Sequence, residues 1–150
     1  MKLLGFLSYS FYILIMMICL GAYTARAEAQ STVCLATAIY HESRGEPLLG
    51  QVAVAHVVLN RTEARQYPKT ICGVIYQKKQ FTDIEKVTPD FSSPQWTTAM
   101  KIAILTRLGV LSDPTSGSKW YFAQAKVFPH WAKNKKIAAL IGDHSFLNKV

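Results

Sequence analysis

The sequence of 150 residues has few acidic side chains, few cysteines, no internal repeat and no low-complexity tract. Nine Asp and Glu residues accompany 17 Lys and Arg residues, so the formal net charge is +8. A chain this basic favours anionic partners such as polymers, phospholipid head groups or nucleic acid. Nucleic acid is not expected, because no motif combines basic and aromatic residues as nucleic-acid-binding modules do.

Closely spaced metal ligands are also missing. His41-Glu42 is not followed by a second histidine three residues after the glutamate, which a zinc-enzyme helix would require. A zinc site would need ligands from distant positions: His41, Glu46, His56, His130 and His144. We therefore expect no metal and no other cofactor.

The first 27 residues have the pattern of an export signal. Lys2 precedes an apolar core at residues 11–20, and Ala25-Arg26-Ala27 resembles a cleavage site. Cleavage would leave one domain, residues 28–150, with 15 basic and 9 acidic residues, in the periplasm or outside the cell. The uncharged residues 3–25 are also long enough to span a bilayer, so an uncleaved membrane anchor is the alternative.

If the first 27 residues are an export signal, the three cysteines fall into two groups. Cys19 lies in the signal, whereas Cys34 and Cys72 remain as an even pair in an oxidising compartment. Such a pair predicts a disulfide between the segment before Glu42 and the segment after the second helix. Two buried free thiols are the alternative.

Hydrophobic periodicity predicts an α+β fold, with a mostly helical lobe and a small β-sheet beside a groove. One helix precedes Glu42, a second is expected at residues 47–64, and a third at residues 95–108 after a Ser93 cap. Trp120-Tyr121-Phe122 has the pattern of a short aromatic strand. Aromatic walls next to polar groups suit sugar rings.

The corner between the first two helices contains the candidate catalytic residue. Glu42 follows Ala38 by one turn, beside the buried stripe of its helix. Gly45 is predicted to end that helix in a left-handed conformation, and Pro47 to lie in the first turn of the next helix, with Glu46 at or next to its cap. A half-buried glutamate has the raised pKa that a general acid needs. Alternatively, Glu42 forms a structural ion pair with Arg44 or Arg61.

Motifs in the same order along residues 34–146 resemble the cell-wall hydrolase family typified by the catalytic domain of the bacterial spore cortex-lytic enzyme. They include Glu42-x-Arg44-Gly45-Glu46, Gly50-Gln51-Val52-Ala53-Val54, Val58-Leu59-Asn60-Arg61, Thr70-Ile71-Cys72-Gly73, Gln80-Phe81-Thr82, Asp113-Pro114-Thr115 and Ile141-Gly142-Asp143-His144-x-Phe146. The resemblance implies cleavage of the glycan strands of peptidoglycan and a groove like that of small lysozyme-like lytic transglycosylases. It also implies that Glu42 is the catalytic glutamate.

The other site residues are predicted around Glu42. Gln80, Phe81, Tyr121 and His144 are predicted substrate contacts, and Arg44, Gly45 and Glu46 are predicted to support the site. A lytic transglycosylase needs one glutamate, as acid and then base, because the muramic acid's own 6-hydroxyl attacks. Hydrolysis with a second carboxylate or a water, a zinc amidase, and a non-catalytic wall-binding module are the alternatives. We expect a monomer that meets the membrane only through an uncleaved N-terminal segment.

Overall fold

The structure is a computed structural model that describes residues 3–78, 80, 81, 84, 87–124 and 128–150. It has the predicted α+β architecture. The elements in chain order are α1 (Leu3–Ser43), α2 (Leu48–Glu63), α3 (Ile71–Ile75), α4 (Pro94–Arg107), β1 (Trp120–Ala123), a 3-10 helix (His130–Ala132), β2 (Lys135–Ile141) and β3 (His144–Lys149).

Contacts divide the chain into two units, residues 1–30 and 31–150. The first unit is helical wherever it is described, and the large apolar side chains described in it, from Tyr9 to Tyr23, are exposed. The stretch Phe11–Ser43 is long and apolar enough to cross a membrane, with a mean hydropathy of 1.3. A signal sequence near an N-terminus has the same properties, so signal and anchor both stay predictions.

Most of the core of the second unit is formed by helices. Leu35 and Ile39 of α1 have no exposed surface and pack with residues of α2, α3 and α4. A disulfide joins Cys34 to Cys72 at a Cα separation of 5.3 Å, which confirms the predicted pairing. It ties the buried part of α1 to the short helix α3.

The predicted capping signals of α4 are present. The Ser93 hydroxyl accepts a hydrogen bond from the Trp96 amide, and Pro94 occupies the first turn. At the other end Gly109 has a φ of +71°. Its amide donates to Thr106 O, and the following amide donates to Leu105 O, which is a Schellman motif. These local signals explain why the predicted and observed bounds differ by one residue.

Helix α2 lies between the helical core and the sheet. Val52, Ala55 and Val58 belong to the helical core, whereas Ala53, Val54 and Val57 form a second core with Phe146 of β3. A helix that is apolar on most of its surface is expected to be buried on more than one side. This central position brings both ends of α2 close to strand residues.

The described strands form an antiparallel sheet in the order β1-β3-β2. Tyr121 of β1 pairs with Phe146 of β3, and Ile141 of β2 pairs with His144 of β3. Gly142, with a φ of +56°, starts the two-residue turn between β2 and β3. An added Cβ at this glycine would overlap the carboxylate of Glu46, so the turn and the α1–α2 corner depend on each other.

Candidate active site

A cavity of about 460 Å³ lies between the helical core and the sheet. Its walls come from the end of α1, the last turn of α2, the segment after α3, β1, the 3-10 helix and the start of β2. The lining residues are Glu42, Arg61, Tyr67, Gln80, Phe81, Trp120, Tyr121, Trp131 and Lys135. Three of the four predicted substrate contacts and the predicted catalytic glutamate therefore meet in one cavity.

Glu42 and Tyr121 form the central pair of this cavity. Glu42 is the penultimate residue of α1 and is half-buried. The Tyr121 hydroxyl donates a hydrogen bond to Glu42 Oε2 at 2.8 Å. Burial and the negative charge of Glu42 raise the pKa of Tyr121 well above its ordinary value, against the opposing effect of Arg61. Tyr121 is therefore a neutral hydrogen-bond donor at any pH near neutrality.

Arg61 is a buried cation in the same cavity. Only 5% of its surface is exposed, and its Nε donates to Lys119 O at 2.8 Å. Its Cζ lies 5.4 Å from the ring centroid of Tyr67 and 5.5 Å from that of Phe81. Burial lowers the pKa of Arg61, although Tyr67, Tyr121 and Glu42 raise it. An arginine keeps its charge under such conditions.

The sequence predicts for Arg61 only an ion pair with Glu42, as an alternative to catalysis. A signal for a larger role was present, because Arg61 follows Val57 and Val58 by one helical turn on a helix that is otherwise apolar there. A charged residue on a buried stripe needs a polar partner or a ligand.

Two tryptophans and a lysine form another wall of the cavity, and none of the three is among the predicted substrate contacts. Lys135 Nζ lies 4.5 Å from the ring centroid of Trp120 and 5.8 Å from that of Trp131, within cation–π range. The same ammonium group donates to Trp131 O at 3.3 Å. Trp131 is 47% exposed, so an apolar ring face is available beside polar groups. This combination can bind the apolar face and the hydroxyl rim of a sugar.

Gln80 and Phe81 both reach the cavity, although their exposure differs. Gln80 is exposed, whereas Phe81 is only 6% exposed and belongs to the helical core. Phe81 is therefore both a core residue and part of the cavity wall. Thr82, which completes the motif Gln80-Phe81-Thr82, lies outside the described residues.

His144 is not among the described residues that line the cavity, so its predicted substrate contact stays a prediction. It is 8% exposed, and its ring packs 5.2 Å from that of Tyr121 and 6.2 Å from that of Phe146. Its Nδ1 lies 3.5 Å from Glu46 Oε1, beyond ordinary hydrogen-bond distance. Its β3 position opposite Ala123 turns it toward these neighbours, so His144 supports Tyr121 from the side.

Glu46 lies next to the N-cap of α2, but its side chain does not cap the helix. The N-cap of α2 is Pro47, which has no side-chain capping bond. Glu46 instead accepts a hydrogen bond from the Asp143 amide at Oε2 over 2.9 Å, and its main-chain oxygen accepts one from Gln51. Its carboxylate therefore ties the α1–α2 corner to the β2–β3 turn, which is a different way of supporting the site.

Gly45 does not have the predicted left-handed conformation. The described glycines with positive φ are Gly109, Gly117 and Gly142, and an added Cβ at Gly45 would meet nothing within 4 Å. Helix α1 ends instead with a turn in which the Glu46 amide donates to Ser43 O at 2.9 Å. Arg44 is exposed and lies 4.8 Å from the Tyr40 ring centroid. Neither residue contacts the cavity.

A polar network at the end of α2 positions β1. Asn60 donates to Asp113 Oδ2 at 2.9 Å and to Ser118 O at 3.1 Å, next to the Arg61 bond to Lys119 O. Asp113 also accepts from the Thr115 amide and hydroxyl and from the Gly117 amide, over 2.6–2.9 Å. The loop held in this way leads directly into Trp120 and Tyr121.

The described histidines do not gather into a metal site. His56 bonds to Leu111 O at 2.9 Å, and His144 packs against Tyr121. Within the described ranges, no group of three or more His, Cys, Asp or Glu residues could hold a metal ion.

Comparisons with known proteins show which proteins this chain resembles. The cell wall hydrolase family profile matches residues 45–147, beginning three residues after Glu42. The chain is 38% identical to a spore cortex-lytic enzyme of Bacillus cereus over 116 residues, or 75% of this chain and 42% of that protein. It is 33% identical to that of Bacillus subtilis, with 75% and 35% covered. The chain thus spans less than half the length of these relatives.

Two solved structures share the fold. The catalytic domain of the Bacillus cereus SleB protein matches with a TM-score of 0.66 and 36% identity, over 79% of this chain and 91% of that one. The catalytic domain of the germination-specific lytic transglycosylase SleB from Bacillus anthracis matches with a TM-score of 0.67 and 35% identity, over 79% and 93%. With its helical core, its small sheet and the cavity between them, the chain belongs to the cell wall hydrolase family.

Proposed function

We propose that this protein cleaves the glycan strands of peptidoglycan between N-acetylmuramic acid and N-acetylglucosamine as a lytic transglycosylase, with Glu42 as its acid and base. The hydrogen bond from Tyr121 to Glu42 Oε2 at 2.8 Å, in a cavity walled by tryptophans, carries the proposal. Family membership and the similarity to the Bacillus anthracis lytic transglycosylase support it.

The proposed reaction uses Glu42 twice. Its protonated carboxyl group gives a proton to the glycosidic oxygen, the bond from that oxygen to C1 of muramic acid breaks, and an oxocarbenium-like centre forms at C1. The resulting carboxylate then takes the proton of the 6-hydroxyl of the same sugar, whose oxygen attacks C1. The products are a 1,6-anhydromuramic acid end and a new glucosamine end, and Glu42 is protonated again.

Tyr121 stabilises Glu42 between these two steps. Because its pKa is raised, its hydroxyl remains protonated and donates to the carboxylate that forms after the first proton transfer. A hydrogen bond between a neutral donor and an anion is stronger than one between neutral groups. The pair therefore favours the charged state that must accept the second proton.

The positions of Glu42 and Glu46 favour a mechanism with one catalytic carboxyl group over a mechanism with two. Of the described residues that line the cavity, Glu42 is the acidic one, and Glu46 is occupied by the Asp143 amide beside His144. Ordinary glycosidases need a second carboxylate on the opposite face of the sugar. A transglycosylase replaces that group by the 6-hydroxyl of its substrate.

The N-terminal segment supports a location outside the cytoplasm. An apolar helical stretch near the N-terminus is what an export signal or an anchor requires, and the wall polymer lies on the far side of the membrane. We propose export to the periplasm or the cell wall, with peptidoglycan as the partner of a monomeric enzyme.

Mass spectrometry of digested peptidoglycan tests the proposal. The full-length chain should release muropeptides that end in 1,6-anhydromuramic acid. Reducing muramic acid ends would indicate hydrolysis instead of transglycosylation. Freed peptide stems with intact glycan would indicate an amidase. Binding without any release would indicate a wall-binding module.

A further inference from the structure

Arg61 has hydrogen-bonding capacity that the described protein does not use. Its Nε donates to Lys119 O, and its Cζ lies 5.4 Å from the ring centroid of Tyr67. Its Nη1 is buried and has no hydrogen-bond partner among the described residues. Buried donors are almost always paired, and an unpaired donor on a charged group is especially unfavourable. A ligand that supplies an acceptor oxygen would complete this group.

The surroundings of Arg61 favour a ligand over a structural partner. The residue lines the same cavity as Glu42, with the rings of Tyr67 and Phe81 within 5.5 Å of its Cζ. Aromatic neighbours reduce the access of water, so an acceptor oxygen at this guanidinium would compete with little solvent.

The net positive charge of the cavity favours an anionic acceptor for Arg61. Among its described lining residues, Arg61 and Lys135 are cations and Glu42 is the anion, which leaves an excess of positive charge even when Glu42 is ionised. Lys135 already interacts with two indole rings and with Trp131 O. Arg61 is therefore the cation whose planar donors remain available for a carboxylate.

The remaining step rests on the proposed function. The two sugars of the glycan differ in one group, the lactyl ether on O3 of muramic acid, whose carboxyl group is either free or joined to a peptide stem. We propose that Arg61 is a specificity-determining residue that binds this lactyl carboxyl group, so that the site favours strands in which it is free. Hydrogen bonds from a guanidinium to a carboxylate are about twice as strong as those to a neutral carbonyl.

Three matched ligands test this proposal on the unaltered full-length chain. They are the disaccharide N-acetylglucosaminyl-N-acetylmuramic acid, the same compound with its lactyl group as an amide, and chitobiose, which lacks the lactyl group. None contains the linkage to be cleaved. We expect the acid to bind about tenfold more tightly than chitobiose, as one added ionic hydrogen bond would give, with the amide between them. Equal affinities for the acid and chitobiose would overturn the proposal.

Variants then assign the preference to one cation. Arg61→Gln should lower the affinity ratio of acid to chitobiose to about one. Lys135→Gln is the matched control in the same cavity, and it should keep most of the ratio because Lys135 already interacts with two indole rings and Trp131 O. Loss of the ratio in Lys135→Gln with retention in Arg61→Gln would contradict the proposal. Since Arg61 also holds Lys119 O, circular dichroism must show that the variants fold. If Arg61→Gln does not fold, Arg61→Lys replaces it, and the affinities of the three ligands test the proposal.

These measurements separate the inference from the proposed function. Discrimination between bound ligands involves no cleavage, whereas the reaction type is read from the ends of the digestion products. A chain that forms anhydro ends but binds the acid and chitobiose equally would keep the proposed function and lose the role of Arg61. A chain that prefers the acid but forms reducing ends would keep the role of Arg61 and lose the proposed function.

Discussion

The helical part, residues 31–107, and the strand part, residues 113–150, are held together in different ways. The helical part is an apolar core in which residues such as Leu35 and Ile39 are completely buried, closed by the disulfide between Cys34 and Cys72. The strand part has a small core around Phe146 and relies on turns and polar contacts, such as those of Asp113. The helical part contributes Glu42, and the strand part contributes the Tyr121 hydroxyl.

This difference suggests a division of roles. A packed helix end fixes the position of the carboxylate that we propose as the acid and base, because dense cores resist displacement. Loops and edge strands supply groups that bind and orient, and they can differ between relatives without loss of the core. The two parts can therefore be perturbed separately, and the following predictions do so.

The largest effect is expected for Glu42→Gln, in the helical part. Glutamine has almost the same shape but cannot transfer the proton, so kcat should fall by about 10²–10⁴-fold, the usual contribution of a general acid or base. Initial rates of anhydromuropeptide release measure this loss. The binding of glycan strands should change little.

Glu46→Gln is the matched control for this variant. The same substitution four residues away affects the contacts to the β2–β3 turn and not the cavity. It should lower kcat far less than Glu42→Gln does. Equal losses in the two variants, or full activity of Glu42→Gln, would refute the assigned roles of the two glutamates.

The second effect concerns the stability of the helical part. In the chain-entropy model, a disulfide that closes a loop of 38 residues contributes about 4 kcal/mol to the free energy of unfolding. The double variant Cys34→Ala, Cys72→Ala should lose up to this amount in urea titrations. Cys19→Ala is the control, because Cys19 is exposed and free and should cause no loss. Equal stability of the double variant and this control would show that the bridge contributes little.

Much of the helical part could be predicted because its signals are local. Ser93, Pro94 and Gly109 mark the ends of α4, and the apolar stripe around Ile39 marks the buried face of α1. The position of Glu42 at the end of α1 follows from the same stripe. The predicted conformation of Gly45 failed because a reverse turn closed by the Glu46 amide needs no positive φ.

The strand part was harder to predict because its contacts join residues far apart in the sequence. Glu46 meets the Asp143 amide 97 positions later, and Tyr121 meets Glu42 across 79 positions. No local pattern shows that Lys135 lies between Trp120 and Trp131. Tyr121 and Glu42 were each predicted as site residues, but the hydrogen bond between them was not, because tertiary packing determines which strand residue meets the end of a helix.

The third effect tests the junction of the two parts. Tyr121→Phe keeps the ring against His144 and Phe146 but removes the hydroxyl that bonds to Glu42. A hydrogen bond to a charged group contributes about 1.5–3 kcal/mol, so kcat should fall by about 10–100-fold. Steady-state kinetics separate this loss in kcat from a change in KM. Tyr67→Phe is the control at the other side of the cavity, and an equal loss there would argue against a specific role for Tyr121.

The smallest effect is a dependence of the free energy of unfolding on pH, which we expect from Asp113 in the strand part. Burial alone would raise the pKa of Asp113, but hydrogen bonds from Thr115, Asn60 and Gly117 together lower it below its ordinary value of 3.8. The stability contributed by the carboxylate is therefore complete above that ordinary value and is lost as the pH falls through the lower folded-state pKa.

Asp113→Asn should remove this contribution. Because Asp113 is partly exposed, we expect a loss of only about 1 kcal/mol at pH 7, below the range for buried charged hydrogen bonds. Urea titrations of both proteins should show the difference at pH 7 and its disappearance toward pH 2. A difference that stays constant over this range would mean that Asp113 acts by shape and not by charge. In that case the polar loop before Tyr121 would resemble the apolar helical part, where side-chain packing alone determines position.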